Sequence, residues 1–440
     1  LHVHSTNPRY FADAAGKVVF LAGSHTWDTL QDWGPPTPNF DFPTFLDLLT
    51  NNGHNFTRLW IWESTDGNTS TSNSIGPLPW LRSGPGTATD GGPKFDLHQF
   101  NDEFFMRLRA RVEAARDRGV YVSIMLFQQY FDPKTHPFAG SNNINGIAAD
   151  VDGNNDLRII HTLDNPATLA MQEAYVQKVI DTVNDLDNVL FEIGNEFERH
   201  TIPWQYHMID LIHEYERAKP NQHPVGMTST GRSGTAPPRI TNAELFASSA
   251  EWISPHPESD QQYAFNPPAA DGSKVVIADT DHLEGVLGSS EAMDYQQWIW
   301  KSLFRGLQPI LMDSIQNGIP GWEAETWNQT TNPAFPAARK TLGIARRFSE
   351  QLDLAHLTPR GDLTSTTYCL AAPGQAYVVY QPASGSFSID CLAATYQCNW
   401  YDPFTGKEFT TYSIEVNAGQ QEFTPPFEGP AVLRLVASEK

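Results

Sequence analysis

Eight short apolar runs rich in β-formers, separated by stretches of helical periodicity, constrain this chain more than any other feature. They are VVFLAG (18–23), NFTRLWIW (55–62), VYVSIMLF (120–127), VLFEIGNE (189–196), VGMTST (225–230), WISPH (252–256), KVVIADTDH (274–282) and PILMDS (309–314). Between them the spacing predicts helices over Asp102–Arg118 behind an Asn101 cap, Ala167–Asn184 behind Asn165-Pro166, and Trp204–Ala218 behind Pro203. Asn at an N-cap and Pro in the first turn satisfy or remove the amide donors that a helix start leaves without partners. Strand–helix alternation repeated eight times points to a (β/α)8 TIM barrel, in which the chemistry sits where the strands end.

After a predicted helix at Ala334–Leu354 the texture changes. From Thr358 the runs YCLAA, AYVVYQ, GSFSIDCL, CNWYDPFTGKEF and VLRLVA alternate as antiparallel strands do. We expect a barrel over residues 1–357 and a small antiparallel β-sandwich accessory domain over 358–440. At the join, LDLAHLTPRGDL carries apolar residues straight across where a tethered module would have a Gly/Ser-rich linker, so the second unit is expected to pack on the first.

Charge and composition narrow the partners. With 29 basic and 51 acidic residues the net charge is -22, which repels a phosphate backbone and argues against nucleic acid. No apolar stretch is long enough to cross a bilayer, so no membrane partner is expected. The chain starts at Leu1 without Met and is expected to be secreted or periplasmic. Neutral carbohydrate suits the 12 Trp and 14 Tyr, whose flat faces stack on sugar rings. Cys369, Cys391 and Cys398 allow either one disulfide with a free thiol or three reduced cysteines.

Two strand ends carry the chemistry. In the fourth run, period-two alternation puts Glu192, Gly194 and Glu196 on one face, toward the barrel axis, with Glu196 at the mouth. A carboxylate closing an apolar strand is costly to bury and is better explained by reactivity than by packing. Asn195 beside it suits a hydrogen bond to the sugar hydroxyl next to the reacting carbon. Glycoside hydrolysis needs a second carboxyl, and the seventh run offers Asp279 and Asp281 on one face with His282 beside them. Side-chain direction makes the two aspartates equivalent. Depth favours Asp281 near the mouth as the reactive group, with Asp279 deeper on Arg58, a cation in the second strand that needs an anionic partner.

Arg58 in NFTRLW, EIGNE, His256 in SPH and the seventh-strand carboxylate together resemble the retaining barrel glycosidases of clan A. FADAAGKVVFLAGSHTWDTL is similar to the first strand of the apiosidase-like family, which begins with a Gly-Asp-Thr-Ala-Trp type of motif. The tail CNWYDPFTGKEF resembles the β domain often fused to it, labelled putatively collagen-binding. The resemblance implies Glu196 as acid/base and a Glu ending strand seven as nucleophile. Here Asp279, Thr280 and Asp281 stand in that place, so an Asp acts either as nucleophile or as base in an inverting site, or the chain is a carbohydrate-binding protein on a degenerate barrel. Plant or microbial polysaccharide side chains, apiose or another furanose, with β-linked pyranosides next, are the implied substrates, and no cofactor is required.

Further rim candidates are His25, Trp27 and Asp28 after strand one, Trp60, Trp62 and Glu63 after strand two, and Gln128 and Gln129 after strand three. Asp313 ends strand eight, with Trp322 and Glu323 beyond, and His256 and His282 are candidates to position the acid or base. The loop at 128–163 is long enough to overhang the mouth. Its DVDGNND (150–156) has the alternating oxygens of a calcium loop but lacks the turn glycine and the final Glu. A solvated loop is the expected reading.

Overall fold

In the computed structural model residues 1–34, 39–66, 74–129, 131–149, 159–229, 239–256, 262–283, 293–313, 315 and 333–438 are described. Eight strands close into a parallel barrel in sequence order: β1 (Gly23–His25), β2 (Phe56–Trp60), β3 (Tyr121–Gln128), β4 (Val189–Asn195), β5 (Val225–Thr228), β6 (Trp252–Ser254), β7 (Val275–Asp279) and β8 (Gln308–Met312). Each lies within or beside one of the apolar runs. The first needs correction. Val18–Val19 pairs in an antiparallel sheet with Phe11–Ala12 and His2–Val3, and the barrel strand begins only at Gly23. Side chains divert the backbone between them, because Leu21 N donates to Gln308 Oε1 and Ala22 N to Asn55 Oδ1. Gly23 itself is required: a Cβ there would lie 1.8 Å from the Phe56 carbonyl oxygen.

Around the barrel run α1 (Phe42–Asn51), α2 (Asp102–Arg116), α3 (Pro166–Val183), α4 (Ile202–Glu216), α5 (Asn242–Ala247), the single turn α6 (Gln262–Phe265), α7 (Tyr295–Phe304) and α8 (Phe335–Ser349). Asn101 caps α2 through the Glu103 amide, and Asn165 caps α3 through the Thr168 amide. Pro203 sits inside the first turn of α4, so that helix starts before the proline instead of after it. A hairpin of Trp80–Thr87 and Pro93–Phe100 adds an element between β2 and α2 beyond the plain alternation.

The axis is filled in layers. Phe56, Leu190, Trp252, Val275, Ile277 and Ile310 pack at the bottom with Phe11, which plugs that end. Above them the apolar filling stops and the axis becomes ionic, at the strand ends where active sites of such barrels are built.

The C-terminal strands form a six-stranded antiparallel sheet in the order Thr358–Pro359, Cys369–Ala372, Ala376–Gln381, Ala431–Ala437, Ala394–Tyr401 and Tyr412–Val416. The pair Phe387–Cys391 and Gly419–Phe423 contributes to the same core. Cys369, Cys391 and Cys398 lie buried in that core as separate thiols. The outer face of the sheet is continuous with the barrel: Trp300 of α7 stacks on Tyr380, and Phe348 of α8 lies 4.7 Å from Tyr401.

Candidate active site

Arg58 organises the mouth from β2, where its register beside Ser123 of β3 turns it inward. Its Nε and Nη2 donate to the two oxygens of Glu192 at 2.9 and 2.6 Å, and Nη1 donates to Asp279 Oδ2 at 2.9 Å and Asp281 Oδ2 at 3.3 Å. Nη2 also reaches Asn195 Oδ1 at 2.9 Å. Burial alone would weaken its hold on its proton, but Glu192, Asp279 and Asp281 more than reverse this and raise its pKa. One cation thus faces three carboxyls. An interior of low dielectric does not hold that imbalance, so one of the three keeps a proton near neutral pH.

The partners of each aspartate separate their roles. Asp279 is 1% exposed. It receives His25 Nε2 at 3.0 Å, Arg58, and the Asp281 backbone amide at 2.9 Å. Burial opposes its ionisation, yet His25 and Arg58 hold it well below the usual carboxylate range. Trp60 Nε1 donates to His25 Nδ1 at 2.9 Å, which leaves the proton on Nε2, facing Asp279. Asp281, just past the end of β7, has Arg58 as its cation and the Glu196 charge nearby. Burial, then Glu196, push it up to about 7 against the pull of Arg58.

Strands β3 and β4 reach the mouth through matched irregularities. Met125 pairs with Glu192, and Gln128 with Asn195, yet both Glu192 and Asn195 meet Arg58 although they are three residues apart. Strict alternation would send them to opposite faces. Leu126 and Phe127 both turn outward into the barrel–helix core, as does Ile193. A Cβ on Gly194 would lie 2.0 Å from Phe197 Cε2, so the step requires glycine. The expected shared face of Glu192, Gly194 and Glu196 is therefore replaced by one in which Asn195 points to the axis. Glu196 follows at φ 55°, a left-handed conformation that costs a non-glycine residue about 1–3 kcal/mol and concentrates at functional positions.

Asn195 Oδ1 also receives His282 Nε2 at 3.0 Å, and Ser254 Oγ pairs with His282 Nδ1 at 2.7 Å. With Arg58 already donating to Oδ1, the ring must carry its proton on Nε2 and accept from Ser254 on Nδ1. Burial, reinforced by Arg58, brings the His282 pKa down to about 3. It is a neutral positioning group. Both acceptors being engaged, the amide of Asn195 offers its NH2 for a ligand.

An aromatic wall borders the cluster. Trp60 carries Arg58 Cζ 4.9 Å from its ring centroid and stacks on Trp62, whose ring meets Trp33 edge-on at 4.9 Å. Half-buried Trp27 packs against this group, its carbonyl accepting from Trp62 Nε1 at 2.8 Å. Trp27 is partly exposed, whereas Trp60 is 2% exposed and serves the interior.

Several rim candidates are committed elsewhere. Glu63 accepts the Gln128 backbone amide at 2.7 Å and lies 3.2 Å from His161 and 3.5 Å from His136. Burial works against its ionisation, but the two histidines hold its pKa down to about 2. It clamps the segment after β3 to β2 rather than facing a ligand. Asp313 turns to Arg339 of α8 at 2.6 Å. His256 donates from Nε2 to the Ile240 carbonyl at 3.1 Å, its backbone held by Asn242. Asp28 is buried under the rim within electrostatic reach of Arg111. Gln129 Nε2 binds Glu198 at 2.6 Å. Trp322, Glu323 and the 150–156 loop lie outside the described residues. Among the described residues no group of three or more His, Cys, Asp or Glu could hold a metal ion.

Glu192, on the axial face by alternation, and Ser254 are members of the site that no strand-end signal marks. Glu192 carried the same signal as Arg58, a charge inside an apolar strand, and each is the other's partner. Ser254 carries no such mark in WISPH.

Comparison with known proteins agrees with this architecture. A family model described as a domain of unknown function (DUF6298) matches residues 73–233. No curated protein matches the chain. Among solved structures, a glycoside hydrolase family 5 protein from Bacteroides vulgatus is 14% identical, with a TM-score of 0.63 over 100% of this chain and 94% of its own. A second glycoside hydrolase, described as putative, from the same organism gives 0.64 at 14% identity, over 100% and 84%. The chain is a closed (β/α)8 barrel with a C-terminal antiparallel β domain, and it shares that fold with these structures from end to end.

Proposed function

We propose that the chain is a glycoside hydrolase in which Glu196 is the general acid/base and Asp281 the nucleophile of a retaining double displacement. The observation that carries this reading is that Glu196 and Asp281 lie close enough at the mouth for the charge of the first to raise the pKa of the second. Burial and then the charge of Glu196 push Asp281 up to about 7, so the two carboxyls titrate as a pair around neutral pH. Arg58 at 3.3 Å from Asp281 favours the charge there, and transfer of the shared proton to Glu196 then gives the reacting form. That is the protonation state the first step needs. Glu196 gives its proton to the glycosidic oxygen as the bond from that oxygen to the anomeric carbon breaks, and an Asp281 oxygen bonds to the carbon. In the second step Glu196 takes a proton from water, the water oxygen attacks the anomeric carbon, and the bond to Asp281 breaks.

Asp279, His25, Glu192 and His282 position the reacting groups, while the Asn195 NH2 holds the hydroxyl next to the anomeric carbon. Trp27 borders these groups on the side of β1. The shared fold with glycoside hydrolases supports the class of reaction. The likeness of the first strand and tail to the apiosidase-like family supports neutral furanosides or polysaccharide side chains as substrates, acted on outside the cytoplasm. Asp in place of a longer Glu favours one rival, an inverting site in which Asp281 is the base on a water.

A panel of neutral aryl glycosides and plant polysaccharides tests the proposal. Glu196→Gln is expected to fold normally and to lower turnover by several orders of magnitude. The anomeric configuration of the first product, read by NMR, separates retention from inversion. Binding of glycans without hydrolysis by the native chain would mean a binding protein on a barrel.

A further inference from the structure

Gln128, at the end of β3, is fully buried, and neither its side-chain oxygen nor its side-chain nitrogen has a hydrogen-bond partner among the described residues. An amide buried in this way is destabilising unless a ligand completes it, and native proteins keep few such groups. Its position says what the ligand is. Gln128 is the in-register partner of Asn195, so the two side chains leave adjacent strands on the same side, ~4.8 Å apart across the ladder. The irregularity that turns Asn195 to the axis is matched in β3 by the outward pair Leu126 and Phe127, and it turns Gln128 inward too. The backbone is held as well, through the Gln128 amide on Glu63 Oε1 at 2.7 Å, with His161 on the same carboxylate. A rigid, unpaired amide therefore stands next to the one that faces the substrate.

We propose that Gln128 is a specificity-determining residue that reads the second hydroxyl of the sugar in the catalytic subsite, the 3-hydroxyl. The inference rests on the hydrolase reading, in which Asn195 takes the hydroxyl next to the anomeric carbon. The amide donates to the 3-oxygen from its NH2 and accepts the hydroxyl proton of that ring on its C=O. An uncharged donor–acceptor pair suits a neutral sugar hydroxyl and gives no stabilisation to a deoxy position.

The test uses the full chain, native and Gln128→Met, with calorimetric binding of methyl β-apiofuranoside, methyl α-arabinofuranoside, methyl β-glucoside, methyl β-mannoside and methyl β-xyloside and the 3-deoxy analogue of the tightest binder. The native chain is expected to prefer the parent sugar roughly 10- to 100-fold over its 3-deoxy analogue. Gln128→Met should bind the two alike, at the level of the native chain with the deoxy sugar. Without sugar it should melt at or above the native temperature, because it removes an unsatisfied buried amide while keeping its volume, which a merely structural glutamine would not do. Preserved discrimination in Gln128→Met, a lower melting temperature, or no binding of any of these glycosides to the native chain would overturn the proposal. Turnover of the matching p-nitrophenyl glycosides is read in parallel. Hydroxyl-dependent binding without turnover would sink the hydrolase reading and leave the role of Gln128 standing, whereas turnover unchanged by Gln128→Met would do the reverse.

Discussion

Arg58 grips Glu192 through two nitrogens, Nε at 2.9 Å and Nη2 at 2.6 Å, at the level where the barrel interior changes from apolar to ionic. Both side chains are buried, so neither has water to fall back on. Arg58→Met should lower stability by about 3–5 kcal/mol in urea unfolding at pH 7, the cost of leaving buried carboxylates without their cation. Arg58→Lys should recover only part of this, since a single ammonium cannot make the forked contact. A loss under ~1 kcal/mol for Arg58→Met would show that the cluster is not held by this cation.

Asp281 makes stability depend on pH in a definite direction. Its folded pKa, about 7, lies above its ordinary value of 3.8, so between those values the folded chain holds more protons than the unfolded one. The contribution is fully present below pH ~4 and is lost as pH rises through 7, up to roughly 4 kcal/mol. Asp281→Asn should remove this slope. Glu196→Gln should flatten it, because it removes the like charge that helps raise the pKa. Unfolding curves for the native chain and both variants from pH 4 to 8 check it, and parallel slopes in all three would refute the coupling.

The two aspartates differ in what small anions can replace. With an activated aryl glycoside, Asp281→Ala should lose activity by orders of magnitude and regain part of it with added azide or formate, which enter the space of the lost carboxylate. Asp279→Ala should show no rescue, because its carboxylate is enclosed by His25, Arg58 and the Asp281 amide. Rescue confined to Asp279→Ala would reverse the assignment.

Trp300 joins barrel and sheet: it is fully buried, its Nε1 donates to the Pro403 carbonyl at 2.9 Å, and its ring packs on Phe348, Tyr380 and Tyr401. Trp300→Ala should cost about 3–5 kcal/mol, and residues 1–357 alone should aggregate or melt well below the whole chain. Calorimetry of the two proteins decides. A truncated barrel as soluble and heat-resistant as the full chain would mean that the sheet is a tethered module.

The alternation of apolar runs with capped helices determined the barrel by itself, because each pattern has one burial solution and eight repeats close on themselves. The same local signals placed Asn195, Glu196, Asp279 and Asp281 at strand ends and Arg58 within the second strand, and they foretold that a seventh-strand Asp would meet Arg58. The tertiary structure decided the rest. Only the matched irregularities of β3 and β4 bring Gln128 and Asn195 to the axis together, and a one-residue change of face leaves no mark in a period-two pattern. Likewise Glu63, Asp313 and His256 sit at strand ends, as the rim candidates should, but are claimed by His161, Arg339 and the Ile240 carbonyl. Those partners lie 98, 26 and 16 residues away. Periodicity reports which side of a strand a residue takes over a few neighbours; what a buried charge meets depends on packing between distant segments, and only the folded chain sets that.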